Sequence, residues 1–154
     1  MTSNSPLFTV RSARGDDAMA IAELEREAQI EIAQFRGHER LLEVSQIGEK
    51  QWPAILATRN SIVMVAVSTE IVVAYAKADF DATGTHCTVT QIFVDRHARQ
   101  LGIGATLVNE IARLAKANGC ATLDAVALPG DRKMKNLYER IGMPARLLIA
   151  SKDL

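Results

Sequence analysis

IFVDRHARQLGIGATLVNEIARLAKANG, residues 92–119, is the stretch on which the reading of this chain turns. Its apolar opening, Ile92-Phe93-Val94, has the character of a strand end, and a charged loop from Asp95 to Gln100 follows. Gly102 and Gly104 then open a helix. Its apolar residues Ile103, Leu107, Ile111 and Leu114 recur at spacings of four, four and three, so they share one face. Asn118-Gly119 predicts the stop, because glycine tolerates the left-handed backbone that ends helices. A glycine-rich turn entering a helix leaves backbone N–H groups pointing outward at the positive end of the dipole. Such a turn holds phosphate, so a ligand with a pyrophosphate is expected.

Spacing narrows the ligand. A dinucleotide fold places GxGxxG in a tight turn directly after a strand. Here the third glycine position is Leu107 and the loop from Val94 to Gly102 is too long. Asp124 stands about twenty residues beyond Gly104, as a ribose-binding acid would, but a single offset carries little weight. The pattern GxxxxGK[ST] is absent, which argues against a nucleotide triphosphatase. What the segment does match is R/Q-x-x-G-x-G/A, as Arg99-Gln100-Leu101-Gly102-Ile103-Gly104. With a strand ending in Val94 before it, the segment resembles the acetyl-CoA-binding motif of the GNAT superfamily of N-acetyltransferases. The resemblance implies cofactor contacts from Phe93, Val94, Arg99, Gln100, Leu101, Gly102, Ile103, Gly104 and Ala105, with Arg99 near the phosphates and a backbone N–H of Phe93 or Val94 polarising the acetyl carbonyl.

A second segment points the same way. Leu137-Tyr138-Glu139-Arg140-Ile141-Gly142-Met143 resembles the LYE-x-x-GF segment of that superfamily, with Met143 at the aromatic position. There the tyrosine protonates the departing thiolate, which makes Tyr138 the expected catalytic residue. A phenol with a pKa near 10 keeps its proton at pH 7 and can still donate it. The asparagine common before this helix is Asp131 here, expected to act as an N-terminal cap. The strand position where many relatives carry a glutamate base lies in Thr88-Val89-Thr90-Gln91-Ile92, which holds no carboxylate. Thr90 and Gln91 can position a water. Asp124, His86, Asp79 and Asp81 are the alternative bases. His38, Arg36, Arg40, Glu27 and Glu31, in the first helical region, form a mixed-sign set that reads as surface, as do Arg96 and His97.

Composition agrees without deciding. The 154 residues are expected to form one domain, and 48% hydrophobic with 23% charged residues are ordinary globular values. Eighteen basic and eighteen acidic residues leave no basic excess for nucleic acid. Residues 1–6 carry no signal-like apolar core, and no stretch approaches membrane-spanning length. A cytoplasmic protein follows, with Cys87 and Cys120 as reduced, buried residues and no metal.

The remaining pattern is α/β throughout. Expected strands are Leu7–Arg11, residues 61–67, 71–80, 86–94 and 121–128, and Leu147–Ser151. Asp16 or Asp17 is expected to cap a helix with apolar positions Ile21, Leu24, Ala28, Ile32 and Phe35, and residues 38–58 read as one broken helix or two. A further helix is expected over Asp131–Ile141. The resulting fold class is a mixed, mostly antiparallel central sheet with helices on both faces and a parallel, right-handed βαβ unit around the glycine loop. The resemblance implies direct acetyl transfer from acetyl-CoA to a primary amine of a small molecule, and a homodimer is common among such proteins. Acetylation of a protein N-terminus or lysine, and a non-catalytic acyl-CoA sensor, are the alternatives.

Overall fold

The computed structural model describes residues 6–154; the polar segment 1–5 lies outside the described residues. The apolar runs on either side of Ser68-Thr69-Glu70 pair as a hairpin, β2 (Ser61–Ser68) with β3 (Ile71–Phe80). Thr69 and Glu70 both have positive φ, 50° and 66°, the sense that lets a two-residue turn follow the strand twist. The flanking strands impose this on residues that rarely adopt it. β1 (Thr9–Ser12) pairs antiparallel with β2, and β4 (His86–Val94) antiparallel with β3. β5 (Thr122–Ala125) pairs parallel with β4, giving the order β1-β2-β3-β4-β5.

Each face of the sheet carries its own core. On one, α4 (Ile103–Ala117) lays Ile103, Leu107, Ile111 and Ala115 over Met64, Ala66, Ala74, Ala76 and Val89. The alanines of β2 and β3 leave room for that helix to sit close to the sheet. On the other, α1 (Ala18–Ile32) lays Ile21, Ala22 and Leu24 over Val63, Val65, Tyr75 and Phe93. The region 38–58 resolves into two helices, α2 (His38–Ser45) and α3 (Trp52–Thr58). Trp52 is fully buried with its ring edge-on to Tyr75, 5.7 Å between centroids. α5 (Arg132–Arg140) follows β5 and is capped as expected by Asp131, whose carboxylate accepts from the Met134 N–H at 3.1 Å.

Four expectations need correction. The first strand starts two residues later than its apolar onset, at Thr9. Asp17 does precede α1, but its carboxylate does not cap the helix. It takes a two-pronged pair from Arg11 (2.7 and 2.9 Å) and the Arg14 N–H at 2.7 Å, charge-assisted bonds that outcompete a neutral cap. The strand expected over 121–128 ends at Ala125, because Val126–Leu128 turn away from β4. Leu147–Ser151 forms no strand at all. Leu147, Leu148 and Ile149 are 79%, 91% and 68% exposed. An apolar run has strand propensity, but a strand needs a ladder partner. None is supplied among the described residues, and Ser151 meets Arg40 of α2 instead.

Candidate active site

The site begins where β4 and β5 part. Their pairing covers His86 to Val89 and Thr122 to Ala125, and then stops. β4 continues for five residues with only β3 beside it. The β3 register jumps from Lys77↔Gln91 to Ala78↔Val89, so Thr90 is an extra, bulged residue. The Thr90 hydroxyl donates to Asp79 Oδ2 at 2.9 Å, and Asp79 in turn holds the buried Lys77 and accepts from Ser61 at 2.7 Å. Burial pushes the Asp79 carboxyl up, but the Lys77 and Ser61 bonds outweigh it and hold it below the usual range.

Past the bulge, alternation fixes which groups face outward. The Asp95 N–H donates to Val73 O of β3 at 2.8 Å, so Phe93 and Gln91 also direct their N–H groups toward β3. Val94 and Ile92 therefore present theirs to the open edge. Of the two candidates read from the sequence, Val94 has the outward N–H and Phe93 the inward one. At the mouth of the same opening, Gln100 and Gly102 both adopt left-handed backbone, with φ of 73° and 77°. The first helical bond of α4 runs from the Thr106 N–H to Gly102 O, which leaves the N–H groups of Ile103, Gly104 and Ala105 without partners inside the helix. A Cβ on Gly104 would stand 3.1 Å from a Leu137 methyl and 3.9 Å from Val94, so this glycine lets α4, α5 and β4 meet. Leu101 is exposed beside it.

Arg99 is directed inward. Its guanidinium makes a two-pronged pair with Glu31 of α1, both distances 2.7 Å, and its Nε–H donates to Val94 O at 3.0 Å. It also lies over the Phe93 ring, 5.3 Å from the centroid. The pair holds the Glu31 carboxyl below its ordinary range. Arg96 and His97 stay exposed in the turn between β4 and Arg99.

Beneath the parted strands lies a cavity of about 80 Å³ between α1, α2, β4, the segment Val126–Leu128 and α5. Tyr138 lines it with its ring buried, 6% exposed. Among the described residues its hydroxyl has no hydrogen-bond partner, although no buried polar side-chain atom is left unsatisfied, so the hydroxyl faces open space. Burial, and next the Asp131 charge, push its pKa well up.

Glu25 is the residue that sequence reading missed. It is 4% exposed and lines the cavity. Its carboxylate accepts from Trp52 Nε1 (3.1 Å), the Ile47 N–H (2.9 Å) and Gln91 Nε2 (2.8 Å). No lysine, arginine or histidine pairs with it among the described residues. Gln91 is consequently saturated on its nitrogen, which also donates to Ser45 O, while its Oε1 accepts from the Tyr75 hydroxyl at 2.7 Å. Burial, then the Glu25 charge, hold the Tyr75 phenol well above its ordinary pKa. A signal existed: Glu25 falls between Ile21 and Ala28 on the apolar stripe of α1, where a solvated glutamate has no place.

The expected alternative bases are elsewhere. Asp124 is exposed, Asp81 organises the turn before β4 by accepting from Thr83, Thr85 and His86, and His86 bonds Thr122. None of these, nor Asp79, lines the cavity. Of the mixed-sign set in the first helical region, only Glu31 is tied to the site. Among the described residues no cluster of His, Cys, Asp or Glu could hold a metal, and no helix is long and apolar enough to cross a membrane.

A mixed sheet opened between two parallel strands, with a glycine turn at its mouth, offers a cleft for an extended ligand that ends in a pyrophosphate. The chain belongs to the acetyltransferase (GNAT) family, whose model matches residues 20–143, and is an acyltransferase. Acetyl-CoA is the acyl donor of that family. No curated protein matches it in sequence. Among solved structures it is similar to the yncA protein of Salmonella typhimurium with its cofactor acetyl-CoA (19% identity, 89% of this chain and 79% of that one, TM-score 0.73). It is also similar to a ribosomal-protein-alanine N-acetyltransferase from Brucella melitensis biovar Abortus 2308 (19%, 96% and 97%, TM-score 0.67). A third is the aminoglycoside acetyltransferase meta-AAC0020 from an uncultured soil metagenomic sample, in complex with sisomicin (14%, 96% and 95%, TM-score 0.70). These likenesses are likenesses of fold.

Proposed function

We propose that the protein transfers an acetyl group from acetyl-CoA directly to the primary amine of a small, cationic acceptor. The observation that carries this reading is the charge of the cavity beneath the open β4 edge. Glu25 and Asp131 line it, together with apolar walls such as Ile32, Leu42 and Met134, and among the described residues no basic side chain does. A buried carboxylate without a cationic partner favours a ligand that brings the cation.

The donor groups of this chain suit the acyl donor. The unpaired N–H groups of Ile103, Gly104 and Ala105 suit a pyrophosphate, and the open edge at Ile92 and Val94 suits an extended, amide-bearing chain. When bound, acetyl-CoA supplies the thioester carbonyl that the amine attacks. The Val94 N–H then stabilises charge growing on the carbonyl oxygen, often the largest single contribution in acyl transfer. Tyr138 offers its proton to the departing sulfur, since burial keeps it protonated at working pH. Glu25 holds the ammonium form of the acceptor in place; one proton leaves it through water before attack, and a second, shed by the nitrogen as the C–S bond breaks, returns through water to the Tyr138 phenolate.

Two of the fold neighbours are by name acetyltransferases of amines, an aminoglycoside and the alanine of a ribosomal protein. The test therefore offers aminoglycosides, polyamines, simple alkylamines and peptides with free N-termini, and measures CoA release from acetyl-CoA. Release with small cationic amines supports the reading. Release only with peptides moves the acceptor to a protein terminus, and no release above the hydrolysis blank removes catalysis from the reading. Two free thiols accord with a reducing cytoplasm, which belongs to the same proposal, as does a homodimer that sedimentation would reveal.

A further inference from the structure

The geometry points to Arg99 and Glu31 as a positioning buckle for the acyl group rather than as phosphate-binding groups. This inference rests on the acetyl-CoA reading above. An arginine at the head of a glycine loop invites a phosphate role, but three of its N–H directions are already committed. Two go to Glu31 at 2.7 Å each and one to Val94 O at 3.0 Å, with the guanidinium stacked over Phe93. Both partners are about three-quarters covered, 27% and 29% exposed, so the pair is shielded more than a surface bridge is.

What the buckle holds is the last residue of the open edge. Val94 has lost its β5 neighbour, so neither its N–H nor its C=O on that side has a ladder partner. An edge residue without a ladder is free to twist. Arg99 takes the carbonyl, and the Asp95 N–H takes Val73 O on the other side. The two bonds fix the backbone at Val94 and leave one backbone group of that residue unclaimed, its N–H. Glu31 fixes Arg99, and since Glu31 lies on α1 with Glu25, the same helix anchors the acceptor cavity and the acyl-polarising edge.

Glu31→Gln separates this from a phosphate role, because it keeps shape and removes the charge. If Arg99 binds phosphate, freeing it from Glu31 leaves CoA affinity unchanged or tighter and spares the acetyl contact. If the buckle positions Val94, the variant binds CoA within about twofold of the wild type but loses any preference for acetyl-CoA over CoA, since only acetyl-CoA has the carbonyl. Turnover then falls roughly ten- to hundredfold, the scale of a misplaced oxyanion donor. The readouts are calorimetric affinities for CoA and acetyl-CoA, and the Val94 amide in a ¹H–¹⁵N spectrum. In the wild type that amide shifts further with acetyl-CoA than with CoA. In Glu31→Gln, and in Arg99→Lys, the difference collapses. A Val94 amide that responds alike in variants and wild type overturns the buckle, and so does an Arg99→Lys variant that loses CoA affinity tenfold. A wild type that binds neither ligand is a different failure, that of the acetyl-CoA reading itself.

Discussion

Tyr138→Phe removes one oxygen from the cavity and very little from the fold. The hydroxyl has no partner among the described residues and faces open space, so no hydrogen bond is lost and the ring stays packed at 6% exposure. The stability change should stay within about 0.5 kcal/mol, or about 1–2 °C in Tm for a domain of this size. The chemical loss is larger. A positioned general acid contributes about 10²–10⁴ in rate, and a phenol whose pKa is pushed up is a weak acid, which places the expected fall at the low end. That is about a hundredfold in kcat, or about 2.7 kcal/mol in the barrier. Acetyl-CoA affinity should be kept, because the hydroxyl is not among the phosphate or edge groups. Since the shift is upward, the phenol remains protonated as pH rises through neutrality, and the wild-type rate should show no alkaline fall from Tyr138 below pH about 10. The assay is the initial rate of thiol release with the best amine of the panel, beside a ligand titration and a melt. A kcat within twofold of wild type would refute the acid role, and a Tm loss above about 5 °C would show that the hydroxyl held a structural bond.

Three other outcomes follow from particular contacts. Glu25→Gln replaces one of two accepting oxygens with an amide donor, so Trp52 Nε1, or the Ile47 N–H together with Gln91 Nε2, loses its acceptor. A stability loss of about 1–3 kcal/mol is expected, and in the folded variant the apparent KM for cationic amines should rise about tenfold or more; an equal KM would dissociate Glu25 from acceptor binding. Gly104→Ala gains about 0.5–1 kcal/mol of helix propensity but brings a methyl to 3.1 Å from the flexible end of Leu137, so the two nearly offset, whereas the larger side chain of Gly104→Val should cost about 1–3 kcal/mol; an unshifted melt for Gly104→Val would mean that α4 and α5 are not in this contact. The Arg11 bonds, ahead of the opposing effect of burial, hold the Asp17 carboxyl below its ordinary range. A depressed folded pKa gives stability that is complete above the unfolded value, about 3.9, and is lost as pH falls through the folded one. Asp17→Asn should therefore flatten the acid limb of a denaturation profile below pH about 4, and an unchanged limb would show that the pair is open in solution.

Periodicity and glycine placement carried most of the architecture. The 103–114 stripe, the alternation through 61–80 and the turn at Ser68–Glu70 are local signals, and they specified α4, the hairpin and the order of elements because burial acts on one face of each. The glycine turn pointed to a pyrophosphate, since the chemistry of phosphate binding resides in backbone conformation and short spacing, whereas CoA and the Tyr138 role were implied only by the resemblance of the 99–104 and Leu137–Met143 segments to a known family. Tertiary structure decided what depends on partners distant in sequence. Arg99 could have faced solvent or phosphate, and Glu31, 68 residues away, turned it inward. Val94 rather than Phe93 presents its N–H because the β3 register, and not the strand's own residues, sets which side is taken. Leu147–Ser151 has the composition of a strand, but hydrogen bonding to a neighbour is not a property of a segment. Glu25 is the clearest instance. Its place on the apolar stripe of α1 was readable, but its role rests on Trp52, Ile47 and Gln91 converging from three other parts of the chain, a convergence that only the packed fold brings about.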